Sequence, residues 1–258
     1  MTLKKLFVLV FLFGSANIGF SMNWFDSQND PTKNNTINNI NQTKIQQFIF
    51  GTKQNKNKTG IIIDSSIQYD SKTGYGFDFN TTQNVQIKAN NFSAIKPTYF
   101  SIKLPEGNYS IKITMGSSEQ ESNITIKAES RRILLGELSI PKGKEISKTF
   151  NVNVRNPKID TNSSITLKER ELSDLNWDDK LSLEFLGIVA IHKIEIIPIS
   201  KITTLFLAGD STVTDQDLEP WASWGQCITQ YFDTAIVVAN YAVSGASLSS
   251  FKSSGRLK

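Results

Sequence analysis

Ser211 and Gly245 are the two residues whose type and setting can do chemistry. Ser211 follows the apolar run Thr203–Ala208 in the string Gly209-Asp210-Ser211-Thr212. A strand that ends there puts a hydroxyl at its carboxyl end, the edge at which parallel α/β sheets carry their sites. The backbone N–H of Ser211 is free at such a strand-to-helix corner. Free N–H groups bind the oxyanion of an acyl-transfer intermediate. Gly245 follows a second apolar run, Ala235–Ala239, and its missing side chain lets its N–H approach a substrate. Two loops at one sheet edge thus supply a nucleophile and two donors. The same short string also suits a plain turn. The chain has one histidine, His192, and one cysteine, Cys227. That excludes a site needing two imidazoles, an internal disulfide and a multi-cysteine metal centre. Asp178-Asp179 and Asp215 with Asp217 read as solvated turns, and no spacing suits a calcium loop. No metal or other cofactor is expected.

The longer string separates the readings. Leu207-Ala208-Gly209-Asp210-Ser211-Thr212-Val213-Thr214-Asp215, with Glu219-Pro220-Trp221-Ala222-Ser223-Trp224-Gly225-Gln226 behind it, resembles the first motif of the Gly-Asp-Ser (GDSL, or SGNH) hydrolases. Within them it is similar to the rhamnogalacturonan acetylesterase family. Ala239-Asn240-Tyr241-Ala242-Val243-Ser244-Gly245-Ala246-Ser247-Leu248 resembles the second motif. The resemblance implies a carbohydrate esterase that removes O-acetyl groups from pectin-type polysaccharide. Ser211 is then the nucleophile, and the Ser211 and Gly245 N–H groups hold the oxyanion. Asp210 braces the loop, Thr212 is a turn residue, and Trp221 can line a sugar cleft. Trp224 and Cys227 read as packing of the first helix. The family's later motifs, Gly-x-Asn-Asp and Asp-x-x-His, do not occur, and thirteen residues follow Gly245. His192 lies in the alternating run Ala190–Ile196, ahead of Ser211, whereas the family's base comes after the serine. The 258 residues are therefore expected to be the front of a longer hydrolase, with little activity alone.

Further elements must position these groups. From Ile61 to Ile199 the pattern has period two: Tyr109, Ile111, Ile113 and Met115; Phe150, Val152 and Val154; Leu181, Leu183 and Phe185. Turn strings such as Pro105-Glu106-Gly107-Asn108 and Pro141-Lys142-Gly143 separate them. Such alternation predicts a β-sandwich over residues 59–200. Lys127-Ala128-Glu129-Ser130-Arg131-Arg132 and Leu175-Asn176-Trp177-Asp178-Asp179-Lys180-Leu181 resemble a galactose-binding-like module found ahead of such catalytic domains. A carbohydrate-binding module with a non-catalytic hydrolase remnant is the alternative function. From 201 to 258 the pattern becomes strand–turn–helix–strand–turn–helix, predicting the start of a flavodoxin-like, three-layer α/β domain. Residues 1–21, with Lys4, Lys5 and the apolar run Leu6–Phe13, read as a signal peptide, so the chain is expected to be exported. That run is too short to span a bilayer, which takes roughly 20 residues. Residues 22–58, rich in Asn, Gln, Thr and Lys, read as a spacer. The net charge of +4 leaves +2 outside the leader, too little for nucleic acid. The expected partner is a polysaccharide substrate.

Overall fold

The computed structural model describes residues 8–12, 45–53 and 59–257. The rest of the leader and most of the spacer lie outside the described residues. Fourteen strands form two sheets among the described residues.

The large sheet has eleven strands and is doubled over on one core. Its spine is β12, Lys180–Pro198. The first half of β12 pairs with β7 (Thr98–Lys103) and β9 (Ser122–Ala128). The second half pairs with β2 (Gln46–Phe50), β6 (Phe92–Ala94) and β8 (Gly107–Gly116). The strand passes between the halves at Gly187, whose φ is +94°; a Cβ there would sit 2.1 Å from the Asn123 carbonyl oxygen. Only glycine fits that crossing. The outer members are β3 (Ile61–Ile63), β4 (Tyr75–Asp78), β5 (Gln86–Ile87), β10 (Arg132–Ile140) and β11 (Glu145–Val154). The sheet is mixed: β2 and β3 run parallel, and the other pairs are antiparallel.

The alternating residues point where the pattern directs them. Tyr109, Ile111, Ile113, Met115, Leu181, Leu183 and Phe185 are buried in one core with Phe48, Phe50, Phe77, Phe92 and Phe100. The phenylalanines meet edge to face, with centroids 4.8–5.5 Å apart for the pairs of Phe92 with Phe50, Phe77 and Phe185. The opposite face of β12 is less wet than its pattern implies. Ser182 is buried on Ser101, and Glu184 is buried beside Lys127. Gln46–Phe50 falls inside the stretch read as spacer, yet it is a core strand.

The small sheet is parallel and three-stranded: β1 (Val8–Leu12), β13 (Thr203–Gly209) and β14 (Ile236–Asn240), with β13 in the middle. Val8–Leu12, part of the apolar run read as leader, pairs with Leu205–Gly209. The expectation of a flavodoxin-like, three-layer α/β domain after residue 200 is overturned. The described residues are mostly strand, and the helices are short. The stretch after Ser223 makes one α turn, α1 (Trp224–Cys227), then tightens into a 3-10 turn, Ile228–Tyr231. The second helix, α2, is Leu248–Ser253. The small sheet leans on the large one instead of lying between helical layers. The Asn151 side-chain amide on β11 donates to the carbonyls of Thr234 and Ile236, both at 3.0 Å, and the Thr229 hydroxyl donates to the Ile133 carbonyl on β10.

Candidate active site

β13 and β14 are parallel neighbours in register, Leu207 opposite Asn240, and both are buried at their carboxyl ends. Their carboxyl ends therefore lie side by side, and each continues into a site loop. After β13 the chain turns on Asp210. Its carboxylate accepts from the Thr212 N–H (3.0 Å) and the Thr212 hydroxyl (2.9 Å), and its carbonyl accepts from the N–H groups of Val213 and Thr214. An Asp that fills this role forms an Asx turn and is occupied as a brace. Ser211 stands exposed at the tip. Its carbonyl accepts from the Gln216 side chain at 2.8 Å.

The second loop is fastened to the first. The Tyr241 N–H donates to the Leu207 carbonyl (2.9 Å), and the Val243 N–H donates to the Gly209 carbonyl (3.1 Å), two residues before Ser211. The Thr214 hydroxyl donates to the Ala242 carbonyl at 2.9 Å. Gly245 follows, exposed, with φ +70°. Among the described residues neither the Ser211 hydroxyl and N–H nor the Gly245 N–H has a hydrogen-bond partner. A cleft of about 260 Å³ opens beside this loop, lined by Thr166, Lys168, Val243, Ser250 and Ser253 among others. Trp221 is 67% exposed, and its carbonyl accepts from Arg131 Nη1 at 3.0 Å.

Beneath the loops lies a buried polar seam that sequence reasoning missed. Asp215, read as part of a solvated turn, is in fact 5% exposed. Arg132 Nε lies 3.0 Å and Arg155 Nη2 3.8 Å from its Oδ2, and the Asn240 amide donates to its Oδ1 at 2.8 Å. Asp215 is shielded because Arg132 of β10 and Arg155, which directly follows β11, cover it, whereas Asp217 is exposed as the solvated-turn reading had it. The Asn240 amide also donates to the Val213 carbonyl at 2.7 Å. Gly225 makes room: a Cβ there would sit 2.1 Å from that carbonyl and 2.9 Å from the amide nitrogen. The neighbouring residues complete the joint. Trp224 packs on Leu207, Val213, Val238 and Ala242. The Gln226 amide donates to the carbonyls of Ser130 and Gln216. Ser223 caps α1, accepting from the Gln226 N–H at 3.2 Å.

The two stretches of the large sheet that carried the sequence resemblance form this same joint. Arg131 binds the carbonyls of Gln216 and Trp221 and pairs with Glu219. Trp177 stacks on Arg155, 4.6 Å from the guanidinium to the ring centroid, and on Arg256 at 5.1 Å. Arg256 in turn grips the Glu171 carboxylate with one nitrogen, at 2.7 and 2.6 Å, and donates to the Tyr241 carbonyl. One signal was available: Arg132 opens a strand whose neighbours require an apolar or paired residue, and a buried arginine needs a carboxylate.

His192 is not brought to Ser211. It lies on β12, where Nε2 is 2.7 Å from the Gly116 carbonyl and Nδ1 is 3.4 Å from Glu145. Cys227, read as helix packing, closes α1 and is partly exposed, and Tyr231 at the end of the 3-10 turn is 79% exposed.

No protein-family model matches the chain. It is 25% identical over 236 residues to the uncharacterized esterase YxiM of Bacillus subtilis (strain 168), covering 84% of this chain and 55% of YxiM. Over 56 residues it is 48% identical to the rhamnogalacturonan acetylesterase RhgT of the same organism, covering 21% of this chain and 24% of RhgT. The crystal structure of YxiM superposes with a TM-score of 0.44 at 23% identity, covering 83% of this chain and 59% of that one. The chain resembles SGNH-type esterases. It spans about half the length of YxiM and a quarter of RhgT.

Proposed function

We propose that the chain carries part of a carbohydrate esterase site in which Ser211 is the acyl nucleophile. The observation that carries this reading is the pairing of the two loops. The free Ser211 hydroxyl and N–H and the free Gly245 N–H stand at the carboxyl ends of adjacent parallel strands, clamped by the Val243–Gly209 hydrogen bond. A nucleophile beside two preset donors suits acyl transfer to a serine: the hydroxyl attacks an ester carbonyl and the donors receive the charge that develops on its oxygen. The short, strong similarity to RhgT makes O-acetyl groups of rhamnogalacturonan the proposed substrate, with the exposed Trp221 as a sugar-stacking surface.

The attack also needs a base for the Ser211 proton, and water needs one to release the acetyl group. His192 is engaged on the large sheet, so the described residues bring no imidazole to Ser211. These residues alone are therefore proposed to acylate slowly and turn over poorly. We further propose export, with the leader removed; β1 then leaves and the outer edge of β13 is bared.

Acetate release from acetylated rhamnogalacturonan, measured against acetylated xylan and the Ser211→Ala variant, tests the function. The expected result is slow, Ser211-dependent release that favours rhamnogalacturonan. Equal release from Ser211→Ala, or fast turnover by the 258 residues, contradicts it.

A further inference from the structure

Lys168 and Arg170 both donate to the same backbone oxygen, the carbonyl of Ser244, Lys168 Nζ at 2.7 Å. Both residues come from the large-sheet half of the chain, whereas Ser244 lies in the loop after β14. Lys168 Nζ is also 3.7 Å from where a Cβ on Gly245 would stand. The carbonyl of Ser244 and the N–H of Gly245 are the two ends of one peptide group. A carbonyl has two lone pairs, so one oxygen can accept from both cations.

Two like charges drawn together need a reason. The 3-10 turn Glu169–Ser173 that carries Arg170 is locked in place: the Glu171 carboxylate accepts from the Lys168 N–H at 2.9 Å and is held by Arg256. That carboxylate is hydrogen-bonded to Arg256, and it offsets the Lys168 charge only in part. Burial, then the neighbouring Arg170 charge, hold the Lys168 ammonium below the usual lysine range. The cations act on the Ser244 carbonyl, and an amide polarised at its oxygen is a stronger donor at its nitrogen.

We propose that Lys168 and Arg170 are positioning residues that polarise the Ser244–Gly245 peptide and so strengthen the Gly245 N–H as an oxyanion donor. The effect rests on the esterase reading for its use, but not for its existence. The connection between β11 and β12 is then more than a link, since it supplies the charge that tunes the site.

The test uses the full chain, 15N-labelled at glycine, in four forms: wild type, Lys168→Met, Lys168→Met with Arg170→Met, and Lys168→Arg. The expected result is an upfield move of the Gly245 amide proton in Lys168→Met, larger in the double variant, and recovery in Lys168→Arg. Glycines remote from the loop stay in place. Acylation of Ser211 by saturating 4-nitrophenyl acetate falls by roughly tenfold in the double variant at unchanged KM, the scale of one charge-assisted hydrogen bond. A Gly245 amide that does not move in Lys168→Met overturns the proposal. So does a general shift of the loop that Lys168→Arg fails to reverse, which marks Lys168 as a mere strut. If Gly245 responds as expected but wild-type Ser211 is never acylated, the polarisation stands and the esterase reading falls.

Discussion

At the residue scale the site is a set of braces around one hydroxyl. Asp210 spends its carboxylate on Thr212, Gln216 holds the Ser211 carbonyl, and Val243 ties the second loop to Gly209. The Ser211 hydroxyl is exposed and braces nothing, so Ser211→Ala should leave unfolding free energy within about 0.5 kcal/mol of wild type while removing acyl transfer. Chemical denaturation beside an acylation assay checks both halves; a large loss of stability would show a structural serine instead. That Ser211 and Gly245 each follow an apolar run was legible in the chain, and the structure sets those runs side by side as β13 and β14; strand ends are where parallel sheets expose their loops. The roles of Lys168 and Arg170 were not legible. They sit 76 and 74 residues before their shared carbonyl, and no local pattern marks a side chain that reaches a distant backbone oxygen.

At the element scale the joint between the sheets decides whether the loops are in place. Asp215 faces Arg132 and Arg155 in a buried seam, and removing the carboxylate leaves two charges uncompensated. Asp215→Ala should cost roughly 3–5 kcal/mol, the usual loss when a buried pair is broken. Denaturant unfolding measures it, and a cost near zero would mean that water already reaches the seam. Replacing Phe50, fully buried among Phe77, Phe92 and Phe100, by alanine should cost a similar amount, about 3–5 kcal/mol, by opening a cavity. The strand that carries Phe50 was hidden in the sequence because its flanks are Asn- and Lys-rich. The strands β8 and β12 were visible because their apolar residues alternate for most of their length. The helical layers expected after residue 200 were an over-reading: Trp224, Cys227, Ile228 and Tyr231 have helical spacing, but that spacing also fits one α turn running into a 3-10 turn.

At the scale of the whole molecule the buried carboxylates set the response to pH. Burial pushes Glu129 up to about 8 from an ordinary 4.5, with Arg132 pulling the other way. Asp174 is pushed up to about 7 by burial and then by Asp217. Both folded values lie above the unfolded ones, so the native chain holds protons that the unfolded chain releases. Their contribution is full below the unfolded values. It falls as pH rises, through about pH 7 for Asp174 and about pH 8 for Glu129, by up to ~1.4 kcal/mol per pH unit for each proton. Glu129→Gln keeps an acceptor for the Ser182 N–H and cannot ionise. It should flatten the fall in denaturation midpoint between pH 5 and 8 and stabilise the protein at pH 8; an unchanged slope would assign the effect to other groups.

The most direct test of the account is to find where an acyl group lands. The chain and its Ser211→Ala variant are each incubated with 4-nitrophenyl acetate, digested, and the peptides weighed. Even a site with a broken triad retains a roughly 10³–10⁴-fold advantage over water from its donors and binding alone. One acetyl group is expected on the peptide holding Ser211 in the wild type and none there in Ser211→Ala. An unmodified Ser211, or acetylation confined to surface lysines in both proteins, would contradict it.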